Sequence, residues 1–421
     1  MPWDVVIVGA GAAGLLAAIR AAERGRRTLV CEKNQRPGTK ILMSGGTRCN
    51  LSHATDSAGI VRAFGRQGRF LHSALASLSP EQTVQLFHAE GLRTKVEETG
   101  KIFPASDRAA DVLAALMRRL NRSGAELAFG DSVREITGVS GSMRVTTNNR
   151  TLTAESVIVT TGGRSYPGCG TTGDGYAWAA RFGHEIIAPR PALTPIVCDA
   201  RWIKELSGVT ISDVATRVVA AGRIYEAGQA GTSRRRAQKA LAEARGSLLF
   251  AHFGLTGPAA LDVSRAVSGA SEAVCVLCDF LPDESPENLL QRLDQQCSRE
   301  GGRLIGGLFS ELLPRRLLHS LLGVLEIPVD RRAAEVRRAD RVRIVEQIKG
   351  CPIAAQGVMG FRKAEVTAGG VDLRQVDSST MQSKVAPGLF FAGEVLDLDG
   401  PIGGFNFQAA FSTGWLAGSH A

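Results

Sequence analysis

The sequence predicts an α/β chain built on a Rossmann-type parallel sheet, interrupted by an inserted region and completed near its carboxyl end. Three observations predict this. Residues 5–32, VVIVGAGAAGLLAAIRAAERGRRTLVCE, read as strand, glycine-rich turn, helix and second strand. Residues 156–163, SVIVTTGG, are a second apolar run that ends in two glycines, as expected where backbone lies close to a ligand. Residues 388–395, GLFFAGEV, form a third buried strand closed by glycine and an acid, placed to rejoin the first sheet.

In the first stretch, Val5, Val6, Ile7 and Val8 form an unbroken apolar run, as in a parallel strand covered on both faces. Gly9, Gly11 and Gly14 follow as G-x-G-x-x-G, with Ala12 and Ala13 inside the motif. Gly9 permits the tight turn, Gly11 lets a pyrophosphate approach, and Gly14 lets the helix over 15–24 pack on its strand. Free amides at the helix start can receive phosphate. Gly25 stops the helix, 28–31 form the next strand, and Glu32 arrives eighteen residues after Gly14, followed by Lys33. A carboxylate there accepts from ribose hydroxyls and disfavours a 2′-phosphorylated adenosine. With strand, helix and acid all in place, the turn is assigned to a bound dinucleotide.

At 421 residues and 44% hydrophobic, the chain has room for two or three domains with ordinary cores. No apolar run reaches the roughly eighteen residues of a membrane span, and the first strand leaves no room for a signal peptide. The expectation is a soluble cytoplasmic protein. The eight cysteines are scattered, which suggests reduced thiols. Cys275 and Cys278 fall in a strand, where residues three apart face opposite ways, and no second pair follows, so no metal is expected. A formal charge of +9 and a pI near 9.4 permit an acidic partner such as nucleic acid. From charge alone, a basic surface kept for solubility is the preferred reading.

The segment KNQRPGTKILMSGGTRCN carries Gly38, Lys40, Ser44, Gly45, Gly46, Arg48, Cys49 and Asn50 and reads as a polar loop leaving the carboxyl end of a sheet strand. Such crevices bind ligands in open α/β sheets. Residues 70–91 read as two short helices, the second opened by Ser79-Pro80-Glu81, and 107–120 as another. Residues 133–139, 143–147 and 151–153 read as a β-meander. It leads into the strand that ends at Thr161, Gly162 and Gly163, and 176–182 form the next helix.

Pro189-Arg190-Pro191 marks a boundary. Residues 1–189 and 367–421 then form one discontinuous nucleotide-binding domain. Residues 190–366 form an inserted substrate or cap region, β-rich with a helical part at 286–347. The insert has no second G-x-G-x-x-G, so a dedicated nicotinamide domain is not expected. It holds two basic clusters, Ser233 to Arg236 with Lys239 and Arg245, and Arg331, Arg332, Arg337, Arg338, Arg341 and Arg343. Interleaved acids mark the second as a solvated helix face; the first is the better polyanion candidate, with a disordered basic loop as an equal reading. At the far end, Gly393 and Glu394 close a strand, and Gly403, Gly404, Phe405 and Asn406 open the last helix, whose amides and dipole suit a flavin carbonyl or a phosphate.

A dinucleotide turn at one end and an AGE strand with a glycine-rich helix start at the other resemble the two-dinucleotide-binding-domain flavoproteins, which makes the dinucleotide FAD. The motifs SGGTRCN, TTGGRSYPGCGTTGDGY, PALTPI, LLFAHFGLTGPAALDVS, VTAGGV and TMQSKVAPGLFFAGEVLDLDGPIGGFNFQAAFSTG narrow the resemblance. In this order they are similar to the BaiN/RdsA-like family of FAD-dependent oxidoreductases, HI-type and also known as aminoacetone oxidase-like. The resemblance implies a Rossmann-type FAD domain interrupted by a β-barrel-like part and a helical part. It also implies an enzyme that reduces a conjugated C=C with NADH or NADPH bound transiently. The substrates it suggests are uridine in ribosomal RNA, a small-molecule enone, or, by oxidation, an aminoacetone-type amine; a flavoprotein that binds RNA or a partner without turnover is a further reading. Thr47 replaces the family's usual third glycine, and Phe405 its usual tyrosine.

In such an enzyme the flavin transfers hydride and the protein supplies orientation, electrostatics and a proton. The assigned cofactor contacts are Gly9, Gly11 to Gly14, Glu32, Lys33, Lys40, Gly45, Gly46, Arg48, Cys49, Asn50, Thr161 to Gly163, Gly393, Glu394 and Gly403 to Asn406. Lys40 and Arg48 are placed to stabilise charge on the reduced flavin. Cys49, between Arg48 and Asn50, is the candidate general acid, its thiol tuned by nearby positive charge. His252, on an apolar strand, is the weaker alternative.

Overall fold

The computed structural model describes residues 2–139, 141–222 and 239–421. The chain divides into two compact units, Met1–Pro191 with Ala364–Ala421, and Ala192–Lys363.

In the first unit β1 (Trp3–Val8) leads through the glycine turn into α1 (Ala12–Glu23) and β2 (Thr28–Glu32). The central sheet adds β3 (Glu126–Phe129), β4 (Val133–Val139), β5 (Ser142–Thr147), β6 (Thr151–Val159) and β7 (Leu389–Phe391). Its order is β3-β2-β1-β6-β5-β4, with β7 also on β6. β1 lies parallel between β2 and β6, with Val5 opposite both Thr28 and Ser156. Covered on both faces, Val5, Val6 and Ile7 are fully buried, which is why the strand is a continuous apolar run. On the edge away from β1, β6 serves two neighbours: Thr151 is opposite Thr146 of antiparallel β5, and Val157 is opposite Leu389 of parallel β7. The carboxyl-terminal strand therefore rejoins the first sheet, as the sequence predicts.

The segment after β2 departs from the expected loop. It opens as α2 (Thr39–Thr47), anchored by buried Ile41, and the helix breaks inside: Ser44 has ψ 153°, and Gly45 and Gly46 have φ 55° and 66°. The glycine pair marks the break, whereas the preceding TKILM run has ordinary helix formers that the loop reading passed over. Ser52–His53, Thr94–Val96 and Lys101–Pro104 pair as a small antiparallel sheet that the sequence reading did not contain. The helix Pro80–Ala89 starts with a capping box, Ser79 accepting from the Gln82 amide and Gln82 from the Ser79 amide.

The last helix, α3 (Phe405–His420), runs against α1. Gly414 and Gly418 allow the approach, because a Cβ at either would lie 2.2 Å from the Ala13 carbonyl oxygen or 2.3 Å from that of Ala17. Gln408, fully buried, fixes the other side of this helix: it accepts from Ser52 Oγ at 2.6 Å and donates to Thr83 Oγ1 and Ser412 Oγ, both at 2.9 Å.

The second unit holds a seven-stranded antiparallel sheet. Its edge strands, Cys351–Ala355 and Gly357–Val358, are separated by Gln356 alone, so the sheet curls until its edges adjoin, as in a barrel. Helices Pro286–Arg299, Arg315–Val324 and Arg338–Lys349 accompany it. Lys349, almost wholly buried, pairs with Asp279 at 2.8 Å. Cys275 and Cys278 face different apolar clusters. Within the first basic cluster, Ser233 to Arg236 lie outside the described residues, and Arg245 is matched by Asp213 and Asp283. In the second, Arg331 and Arg343 pair with Asp340 and Arg341 with Asp294, while Arg332, Arg337 and Arg338 are exposed. No described helix is long and apolar enough to cross a membrane.

Candidate functional site

The glycines of the first turn differ in what surrounds them. Gly9, at φ 104°, is held by Thr160, whose hydroxyl donates to the Val8 and Gly9 carbonyls at 3.0 and 2.9 Å. A Cβ on Gly14 would lie 1.9 Å from the Gly9 carbonyl oxygen, so this glycine is required for the helix to sit on the turn. A Cβ on Gly11 would meet nothing within 4 Å. Gly11 therefore borders open space, and α1 begins directly after it with no side-chain cap. Its first amides are left for an external acceptor.

Glu32, buried at the end of β2, accepts from the Ala10 amide at 2.7 Å and the Asn34 amide at 2.8 Å. It thus braces the turn with one lone pair on each oxygen, and neither of these bonds uses the remaining lone pairs. Lys33 is turned to Asp174 and Thr172, at 2.6 and 2.7 Å.

The distant motifs meet on this frame. The Gly38 amide donates to the Ala10 carbonyl at 2.8 Å, and a Cβ on Gly393 would lie 2.8 Å from that of Ala13. Glu394 accepts from Lys40, from Ser165 Oγ at 2.6 Å and from the Thr367 amide at 2.9 Å. Lys40 also donates to Ser165 Oγ at 2.8 Å. Gly163 gives this cluster room, since a Cβ there would lie 2.4 Å from Thr367 Oγ1 and 2.9 Å from Glu394 Oε1. Gly162 is left-handed at φ 71° and packs on Thr171, and Thr161 makes only a 3.5 Å contact to the Gly162 carbonyl. Thr160, Ser165 and Thr367 were not among the expected site residues; isolated hydroxyls in glycine-rich stretches carry no sequence signal of their own.

At the other end of the site, α3 starts after Gly404, at φ 95°, again without a side-chain cap. The Asn406 side chain closes the preceding strap onto Gly400 and Pro401. His53 stacks on Phe405 with ring centroids 4.6 Å apart, and its Nδ1 lies 3.0 Å from the Gly403 carbonyl oxygen. A Cβ on Gly404 would lie 2.7 Å from Asn50 Oδ1, a buried oxygen with no hydrogen-bond partner among the described residues.

The loop between these ends is conformationally costly. Thr47 and Cys49 have φ 69° and 61°, in the left-handed region that glycine adopts most easily. Arg48 lies over the Phe103 ring, 3.9 Å from its centroid, and pairs with Glu97 at 2.6 Å and Asp107 at 3.4 Å. The hydrogen bond to Glu97 foremost raises its pKa. Cys49 is fully buried, and burial pushes its thiol up to about 12, against a small opposing pull from Ser44. The expected tuning by positive charge is thus replaced by desolvation, because Arg48 is turned toward its carboxylates. His252, expected in a strand core, follows the strand Ala242–Ala251 and is exposed.

These residues fit FAD on their own geometry: an open face at Gly11, two uncapped helix starts and an orphaned acceptor at Asn50 are what a dinucleotide with a polar ring system occupies. No group of three or more His, Cys, Asp or Glu among the described residues could hold a metal.

A Rossmann-type FAD-binding fold with this cradle defines an FAD-dependent oxidoreductase. The chain belongs to the family described as HI0933-like protein Rossmann domain, whose pattern matches residues 3–420. It is 30% identical over 416 residues to the ribosomal RNA dihydrouridine synthase of Escherichia coli K12, covering 98% of this chain and 96% of that one. It is 28% identical to the 3-dehydro-bile acid delta(4,6)-reductase of Clostridium scindens, covering 99% and 98%. Among solved structures, E. coli quinol fumarate reductase FrdA shares the fold at a TM-score of 0.50 and 18% identity, over all of this chain and 69% of that one.

Proposed function

We propose that this enzyme reduces a C=C bond conjugated to a carbonyl, with uridine in ribosomal RNA as substrate and NADH or NADPH as transient donor. The observation that carries the reading is the chemistry the named relatives share. A dihydrouridine synthase and a delta(4,6)-reductase of 3-dehydro bile acids both saturate such a bond, and both are matched over nearly their full length. The FAD contacts follow the cradle: Gly11, Ala12 and Ala13 at the pyrophosphate, Glu32 at the adenosine ribose, and Asn50 with Gly403 to Asn406 at the ring system.

Bound FAD supplies the hydride. The uncapped start of α3 orients amides toward developing negative charge. Lys40 and Glu394 neutralise each other and hold the 163–165 turn in place. Cys49, neutral at physiological pH because its pKa is pushed up to about 12, is the proposed proton donor. It retains its proton until charge develops on the neighbouring carbon. A small-molecule enone reductase uses the same groups, and substrate choice separates the two readings.

The test uses purified FAD-loaded protein, NADH or NADPH, and an unmodified ribosomal RNA transcript. Formation of dihydrouridine is expected, and Cys49→Ala should lower turnover at least tenfold with unchanged FAD content. Turnover of a steroid enone with none on RNA moves the substrate to small molecules. Rapid oxygen consumption with aminoacetone replaces the reductase by an oxidase.

A further inference from the structure

Between Asp56 and Glu81 the chain carries three arginines and His72 and no acid. This stretch forms the helix Ser57–Ala63, the turn Gln67–Leu71 and the helix His72–Ser77. Ile60, Phe64, Phe70 and Leu71 are buried beneath it, and Arg62, Arg66, Arg69 and His72 are exposed. Arg62 has one loose partner, Asp56 at 3.9 Å, with both side chains about three-quarters exposed. Arg66 and Arg69 have no ion-pair partner among the described residues. Elsewhere in the same unit Arg48, Arg119, Arg122 and Arg150 are each matched by a carboxylate.

This basic face is tied to the candidate site. Gln67 donates to the Asp397 carbonyl at 2.8 Å. Phe64 packs so closely under Gly400 that a Cβ there would lie 2.7 Å from its ring. Residues 397–400 are the start of the strap that Asn406 closes and that delivers the chain to Gly403, Gly404 and α3. A polyanion lying along Arg62, Arg66 and Arg69 is therefore held one strap away from the start of α3. Unmatched arginines next to a site fit a chain of phosphates, with planar guanidinium groups bonding phosphate oxygens in pairs.

We propose that residues 62–72 form the docking surface for the phosphodiester backbone of a structured RNA, positioning it so that one base enters the site beside α3. The surface rests on the RNA reading given above and adds to it the residues that bind the backbone. Backbone contacts give affinity and register and leave base choice to the site.

The test is a titration of the full-length FAD-loaded protein with an unmodified ribosomal RNA transcript at several KCl concentrations. Arg66→Glu with Arg69→Glu should raise Kd at least tenfold at 0.1 M KCl. Arg66→Ala with Arg69→Ala should shrink the salt slope by about 1.5, the loss of two phosphate contacts. FAD content and the rate at which the reductant bleaches the flavin should stay unchanged in both. The same charge reversal in the second unit, Arg332→Glu with Arg338→Glu, should move Kd less than twofold. The surface is overturned if the variants bind like wild type, if the second-unit control loses as much affinity, or if only the KM for the nicotinamide donor rises. A wild-type protein that neither binds nor modifies the transcript overturns the RNA reading itself. Wild-type activity matched by the Arg66 and Arg69 variants overturns only the surface.

Discussion

The two glycine-rich segments that build the first unit's site solve their geometry differently. In the turn after β1, each position that needs a missing side chain has glycine, and Ala12 and Ala13 are helical. In the segment after β2, Gly45 and Gly46 take left-handed angles, but so do Thr47 and Cys49, which have side chains. The first turn is relaxed, with glycine at its left-handed and crowded positions. The second is held in a costly shape by its surroundings, including the Arg48 stack on Phe103 and its two carboxylates. Strain of this kind persists where the structure around it over-determines the backbone, and it concentrates at functional segments.

The largest expected effect breaks the relaxed turn. Gly14→Ala forces a Cβ to within 1.9 Å of the Gly9 carbonyl, so the protein should lose about 3 kcal/mol or more and be recovered without FAD. A normal melting temperature with a full flavin spectrum would sink this account.

Alkaline pH next probes the strained loop and the strand that leads into it. Burial pushes Cys31 at the end of β2 and Cys49 in the strained loop each up to about 12. Their pKa values are raised on folding, so their contribution to stability is complete below about pH 8.5, the unfolded value, and is lost as pH rises toward 12. Above that onset each thiol should cost up to about 1.4 kcal/mol per pH unit. Urea midpoints at pH 8 and 10 should differ accordingly, and Cys49→Ala should reduce the difference. An identical gap in the variant would show that the Cys49 thiol stays protonated in the unfolded chain or titrates freely in the folded one.

Gly11→Ala sharpens the contrast within the first turn. Its Cβ meets no protein atom and Gly11 has an ordinary φ of −81°, so the apoprotein should melt as wild type while FAD binds about tenfold more weakly. Lower apoprotein stability with unchanged FAD affinity would reverse the assignment. The smallest effect is Thr47→Gly, which relieves a β-branched residue at φ 69°. It should raise stability by about 1 kcal/mol, read as a higher urea midpoint.

The relaxed turn was legible because every feature of it is local: an apolar strand, glycines at fixed spacing, an acid at a fixed distance. The return of residues 389–391 to the first sheet was legible for a related reason, as a short apolar run bounded by glycines reads as a covered strand. The loop after β2 was read as irregular throughout because its glycine pair is conspicuous, while the single helical turn before it rests on one buried residue, Ile41. Lys40 and Glu394 were named separately. Their pairing, and the roles of Ser165 and Thr367 between them, depend on contacts spanning 27 to 354 residues that no local pattern encodes. Strands of two to four residues at 52–53, 94–96 and 101–104 are too short to show a period.

The close packing of Gly414 and Gly418 on the Ala13 and Ala17 carbonyls also sets a time order. During synthesis α1 emerges early and its partner face stays exposed until the ribosome has added some four hundred further residues. The nucleotide cradle is closed only once α3 packs on α1, so tight FAD capture should follow the synthesis of α3. Until then the sheet is open at β6 where β7 will add, and an unpaired strand edge of this kind is prone to wrong pairing.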